Sequence, residues 1–197
     1  MNADFLPQKG GFRNLIAYKL SDNIYNLTYL FAHKFLKKGD RTIDQMVQAA
    51  RSCKQNIAEG SAASTTSKET EIKLTNVAKA SLQELLLDYE DFLMTRGQRK
   101  WKIGDPPLEQ TRSVIRQDNP TEYYIDKAQA WNSETFANVV VTMIHACDRL
   151  LYKLIEKQKL QFLQDGGIRE EMSRARREYR SNQTDYNNNN NNNRKTT

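Results

Sequence analysis

Between Ser133 and Phe162 the chain contains no Pro or Gly, and Phe136, Val140, Met143, Cys147, Leu150 and Leu154 recur at spacings of four, three, four, three and four. That rhythm is the repeat of one face of an α-helix. Val139, Ile144, Leu151 and Ile155 widen the face. Ser133 is positioned to cap its start. A helix with an apolar stripe this long has to find cover, so the remaining chain must supply helices of comparable length.

Three further stretches qualify. From about Leu15 to Lys37 Leu20, Ile24, Leu27, Phe31 and Phe35 line one side, and Tyr18, Tyr25, Tyr29, Ala32 and Leu36 line the side next to it. An arc that wide fits either deep packing or a contact with another subunit. Gly39-Asp40 closes this helix, and Asp40 or Thr42 caps the second. Ile43, Met46, Val47, Ala50, Cys53 and Ile57 then form a seam that runs to Gly60, read as the stop. Ser61 to Ser67 reads as a turn, with Thr66 or Ser67 opening the third helix. Its core face is Leu74, Ala78, Leu82, Leu85, Tyr89, Phe92 and Leu93, ending near Arg96-Gly97.

Residues 98–132 break the pattern. Gly104-Asp-Pro-Pro107 and Pro120 stop helices, and short helices are predicted at Leu108–Gln117 and Thr121–Ala130. The expected fold is all-α: an antiparallel up-down-up-down four-helix bundle over residues 14–165, with an insertion at about 98–132 between its third and fourth helices. Residues 1–13, with Pro7 and Gly10-Gly11, read as an irregular lead-in. Beyond the Asp165-Gly-Gly167 hinge lies a tail, 166–197, in which a charged helix is followed by the run Asn187–Asn193, expected to be disordered.

Composition excludes several classes. Mean hydropathy of −0.80 and 27% charged residues predict a soluble chain, and no apolar run reaches the length of a membrane span. The opening Met1-Asn-Ala-Asp-Phe lacks the basic start and apolar core of a secretion signal. Cys53 and Cys147 both fall on apolar faces, as buried free thiols would. A cytoplasmic location is the expectation. His33 and His145 belong to no spaced ligand set, and neither Glu59 nor Glu84 begins a Glu-x-x-His, so no metal or other cofactor is expected. His145 and Cys147, two apart on a helix, point different ways. Phosphate-binding glycine loops and nucleophile elbows are missing from the sequence. A non-enzyme is the expectation.

What remains is basic and polar surface. Thirty Lys and Arg stand against 24 Asp and Glu, a net charge of +6. Arg96, Arg99, Lys100 and Lys102 surround Trp101, an arrangement able to hold phosphate and stack a base. Arg174, Arg176, Arg177 and Arg180 form a second group, and Lys34, Lys37, Lys38 and Arg41 a third. Each also reads as ordinary solvated surface. Asn56 and Glu59, neighbours on what is read as the last turn of the second helix, pair conceptually with Ser81 and Glu84 on the third. Glu59 there opposes the helix dipole and needs compensation. These residues read as a brace of the turn or as part of a binding site.

Asn56-Ile-Ala-Glu-Gly60 followed by Ala78-x-x-Ser-Leu-x-Glu-Leu85 resembles the bacterial four helix bundle protein family. Its members include proteins encoded within intervening sequences of large-subunit ribosomal RNA genes. The likeness covers roughly residues 14–97 and 133–160 and leaves out the insertion and tail. It implies a four-helix bundle assembled as a ring-like homopentamer, with no catalytic residues. A more distant likeness, at the level of the fold, is to the accessory protein of diversity-generating retroelements, which binds nucleic acid and a reverse transcriptase. The resulting expectation is a non-enzymatic oligomeric scaffold that binds RNA, DNA or a ribonucleoprotein through basic surface. The alternative is a protein–protein interaction module with no nucleic-acid role.

Overall fold

The structure, a computed structural model, describes residues 11–167, 170 and 172–181. Among them every regular element is helical. A short 3-10 turn at Phe12–Asn14 leads into α1 (Ile16–Phe35), α2 (Arg41–Ala63), α3 (Lys68–Thr95), α4 (Pro106–Ile115), α5 (Thr121–Ala128) and α6 (Ser133–Asp165). A further helical stretch covers 172–181. The Asn187–Asn193 run, most of the lead-in, and Ile168, Arg169 and Glu171 of the charged tail lie outside the described residues.

The caps resolve what local pattern left open. Asp40, not Thr42, opens α2, its side chain accepting from the Thr42 N–H at 2.9 Å. That bond, foremost, holds the Asp40 carboxyl below its ordinary range. Ser67 opens α3 by accepting from the Thr70 N–H. For α6 the expectation is off by one residue: Asn132 is the cap, taking the Thr135 N–H at 2.8 Å. Ser133 instead receives the Gln98 side chain at 2.6 Å.

The larger correction concerns Gly60. It does not stop α2, which continues to Ala63, and it is buried within the helix. A Cβ at this position would stand 3.4 Å from both the Glu71 carbonyl oxygen and the Leu74 Cβ. Gly60 is therefore small because α3 passes close by, a constraint of packing and not of backbone conformation. Because the helix runs on, Glu59 is not at its negative end. It is exposed and needs no neutralising partner to be tolerated.

α1 packs on α2 and α6, α2 on α3, and α3 on α6. Polar links fix the registers. Lys54 of α2 pairs with Asp22 of α1 at 3.0 Å, and Ser52 meets Ser81 of α3 at 2.9 Å. Lys79 of α3 pairs with Asp148 of α6 at 2.6 Å, while Gln158 further along α6 reaches Thr75 earlier in α3. The centre is apolar: Leu27, Phe31, Leu82, Leu85, Val140, Met143 and Ile144 are fully buried. Tyr89 is the one large polar side chain among them, and its hydroxyl donates to Thr28 at 3.1 Å. Burial raises the Tyr89 hydroxyl far above its usual titration range, so it stays a neutral donor.

Cys53 and Cys147 are buried free thiols, as their positions predicted. Contact with Cys53, then burial, pushes the Cys147 thiol well above its ordinary range, leaving it unreactive. The two sides of α1 part company. Tyr18 and Tyr25 lean on the core and Ala32 is buried, whereas Tyr29 is half exposed and lies against the His33 ring. The short helices α4 and α5 lie on α6 and α1 respectively. Among the described residues no helix is long and apolar enough to cross a membrane.

Candidate nucleic-acid interface

α3 ends at Thr95, and Gly97 takes a positive φ of 63°, a conformation that a side chain resists. The Gln98 N–H returns to the Leu93 carbonyl at 2.9 Å, closing the helix and directing residues 98–105 across the start of α6. That segment is anchored by Asn138, a residue of α6 that is 1% exposed. Its Oδ1 accepts from the Trp101 N–H at 2.7 Å, and its Nδ2 donates to the Arg99 carbonyl at 2.8 Å. Glu134 accepts from the Arg99 N–H at 3.1 Å.

The basic residues of the segment differ in availability. Arg99 is bound by both oxygens of Asp105 at 2.5 Å, and Lys100 is paired with Glu90. Asp105 is held below the ordinary carboxylate range by the Lys102 N–H first, and then by the Arg99 guanidinium. Trp101 is half-buried and packs against the core. Arg96 lies over the Phe92 ring, 3.9 Å from its centroid, and Lys102 has no ion pair among the described residues. Two of the four cations expected to hold phosphate are thus already neutralised by their own chain.

The third basic group behaves similarly at one position and differently at the others. Lys34 donates to the carbonyls of Ala128 and Gln129 at 3.2 and 3.0 Å, satisfying the end of α5. Lys37, Lys38 and Arg41 are exposed and form no ion pair with any described residue. Arg96, just past the end of α3, makes the smallest of the contributions that lower the Asp40 carboxyl, so it lies at the same end of the helices as this α1–α2 turn. The fold therefore brings Arg96 to the end that carries Lys37, Lys38 and Arg41, which the sequence separates into two clusters. Arg174, Arg176, Arg177 and Arg180 are exposed on the 172–181 helical stretch.

Asn56 and Ser81 come together through Ser52. Asn56 Nδ2 donates to the Ser52 carbonyl at 2.8 Å and to its hydroxyl at 3.2 Å, and that hydroxyl meets Ser81. With Gly60 one turn further on, this is a polar and close-packed seam between α2 and α3. Glu59 and Glu84 are not part of it; both are exposed. Sequence reasoning missed Ser52 and Asn138. Ser52 stood in view four residues before Asn56, and Asn138 was the one amide interrupting the apolar run from Phe136 to Val141.

Glu84 lies instead on the outward face of α3, which repeats in sevens: Val77, Ala80, Glu84, Leu87, Asp91 and Met94 are all exposed. Asp88 beside them is raised above its ordinary 3.8 by burial first, and then by repulsion from Glu84 and Asp91. The folded chain thus holds the Asp88 proton more tightly than the unfolded chain does. Its contribution is full below the ordinary value and is lost as pH rises through the raised one. Asp88→Asn is expected to raise the urea midpoint near neutral pH, with the gain vanishing towards pH values below 3.8. An equal midpoint for both proteins at neutral pH would contradict this.

His145, exposed on α6, is lowered by partial burial first and then by Lys100, while Cys147 points into the core. Among the described residues no group of His, Cys, Asp and Glu side chains is arranged to hold a metal ion. No family model, curated protein or solved structure matches this chain.

Proposed function

We propose that the chain is an up-down-up-down four-helix bundle built from α1, α2, α3 and α6, of the kind that the Asn56–Gly60 and Ala78–Leu85 motifs resemble. In this reading it works in the cytoplasm as a non-enzymatic, self-associating scaffold for RNA. The observation that carries the reading is the meeting of Lys37, Lys38, Arg41 and Arg96 at one end of the helices, exposed and in no ion pair among the described residues, with Asp40 as the carboxylate in their midst. Convergence of unpaired cations from different helices is what a phosphate chain requires, because each contact releases a condensed counterion. Arg99 and Lys100, tied to Asp105 and Glu90, contribute chiefly to holding the neighbouring segment in place.

A gel-shift titration with unstructured single-stranded RNA tests this. The expected result is a shift at low salt that weakens as salt rises. Replacing Lys37, Lys38, Arg41 and Arg96 together by Ala should flatten the logarithmic salt slope by about 3, given roughly 0.7 per phosphate contact on single strands. Arg99→Ala with Lys100→Ala should change it far less. No shift at low salt would end the reading.

The exposed stripe on α3, which repeats in sevens, favours the protein-contact side of the proposal. Leu87 is 60% exposed and Met94 71%, and both lie on this one face. We place self-association there, in preference to the tyrosines of α1, of which Tyr18 and Tyr25 are already engaged with the core. A ring of five copies is the assembly that the resemblance suggests. Light scattering giving a monomer mass would remove self-association and leave a partner protein as the occupant of the stripe.

A further inference from the structure

A cavity of about 460 Å³ opens between α1, the α4–α5 connection and α6, on the flank of the helices and away from the basic end described above. Its volume falls within the usual range for sites that take small organic ligands. The floor is apolar, made by Leu20, Ile115, Ala146 and Leu150, with Ile16 left 60% exposed at its edge. Arg116, Arg149 and Lys153 stand on its rim. None of these three has an ion pair among the described residues. The rim carries one carboxylate, Asp118, and Lys19 already neutralises it at 2.5 Å.

The wall is built and held. Thr121 donates to Asn23 Oδ1 at 2.5 Å, and Asn119 Nδ2 donates to the Val114 carbonyl at 3.1 Å. The Thr121–Asn23 bond and the Lys19–Asp118 pair lock the α4–α5 connection onto α1, and the Asn119–Val114 bond holds it to the end of α4. Asp118 itself adopts a positive φ of 51°, the only non-glycine among the described residues to do so. A left-handed Asp costs backbone energy, and such outliers persist where their surroundings hold them and gather at ligand sites. Here the local hydrogen bonds hold the loop so that it leaves a concavity over apolar side chains instead of collapsing onto them.

We infer that this cavity is a binding site for a small amphipathic organic anion, an aromatic or short alkyl body bearing one acidic group. The apolar floor takes the body, since burying its surface is the main source of affinity. Arg149, Lys153 and Arg116 take the acid, and charge-assisted bonds to the forked guanidinium groups fix its orientation. A neutral compound of the same shape gains only the first contribution, and a small hydrophilic anion only the second. The residues involved differ from those assigned to RNA, so the two inferences stand or fall separately.

The test uses the full chain and the fluorescent anion anilinonaphthalene sulfonate, with decanoate and decanol as competitors. The expected result is saturable binding at one site, displaced by decanoate and not by decanol at equal concentration. Arg149→Ala with Lys153→Ala should weaken it at least about tenfold, the scale of one lost charge-assisted hydrogen bond. Ala146→Trp, which fills the floor and leaves every charge in place, should abolish it while the far-ultraviolet helix signal is retained. Should that variant fail to fold, the charge variant decides alone. Binding that never saturates, displacement by decanol as effective as by decanoate, or unchanged affinity in the Arg149 and Lys153 variant would overturn the proposal.

Discussion

Phe31→Ala is expected to lower the unfolding free energy by about 3–5 kcal/mol, the usual range for deleting a buried aromatic side chain. Phe31 is fully buried in α1, and its ring stands 4.9 Å from Tyr89, 4.6 Å from Phe92 and 5.4 Å from Phe136. It thereby joins three helices, and two of the three contacts are edge-on, the favoured arrangement for aromatic rings. The surrounding rings are rigid and cannot collapse into the space, so a cavity term adds to the lost transfer energy. Against a total stability of roughly 5–15 kcal/mol, the loss is a large fraction. Urea denaturation followed by circular dichroism should show a lower midpoint with an unchanged slope. Tyr89→Phe is the milder companion, expected to cost about 1 kcal/mol because it removes only the bond to Thr28. A Phe31→Ala variant within about 1 kcal/mol of the parent would mean that the aromatic cluster is not the centre of the fold.

The second large effect is expected at Asn138. Replacing it by Leu keeps the side chain's size and shape but removes the acceptor for the Trp101 N–H and the donor to the Arg99 carbonyl. Losing both partners should cost about 2–3 kcal/mol, since each partly buried backbone group left unpaired carries its own desolvation penalty. The effect should also be local. The remaining bonds to α6, Gln98 to Ser133 and the Arg99 N–H to Glu134, lie before Trp101, so the Trp101 amide should exchange with solvent faster and tryptophan emission should shift to the red. A destabilised protein in which Trp101 exchange is unchanged would show that Asn138 acts through core packing alone. Because Lys102 lies within this segment and Arg96 just before it, the same variant separates a preformed basic surface from a flexible one in the RNA titration.

Much of this molecule was legible in its linear pattern. The core faces of α3 and α6 fall on residues picked out by helical spacing, from Ala78 to Leu93 and from Phe136 to Leu151. The short helices α4 and α5 begin within two residues of their expected starts. Gly60 was misread for a definite reason: a Gly after a run of helix formers most often ends the helix, and nothing local distinguishes that role from close helix packing. Which one applies depends on Glu71 and Leu74, residues of a different helix.

The basic surface divides along the same line. Composition identified Arg96 to Lys102 as cationic, but charge in a sequence carries no record of its partner. Arg99 and Lys100 are neutralised by Asp105 and Glu90, and Lys34 is hydrogen-bonded to the carbonyls that end α5. Meanwhile Arg96 joins Lys37, Lys38 and Arg41 across a helix connection. The core faces of the helices and the buried thiols follow from the sequence alone, because periodicity acts within one or two turns of chain. The availability of each cation, the anchoring of the Trp101 segment by Asn138, the tight passage at Gly60 and the cavity beneath Asp118 were decided only by the tertiary structure. They depend on groups far apart in the chain, and on ion pairs and hydrogen bonds whose strength falls away within a few ångströms.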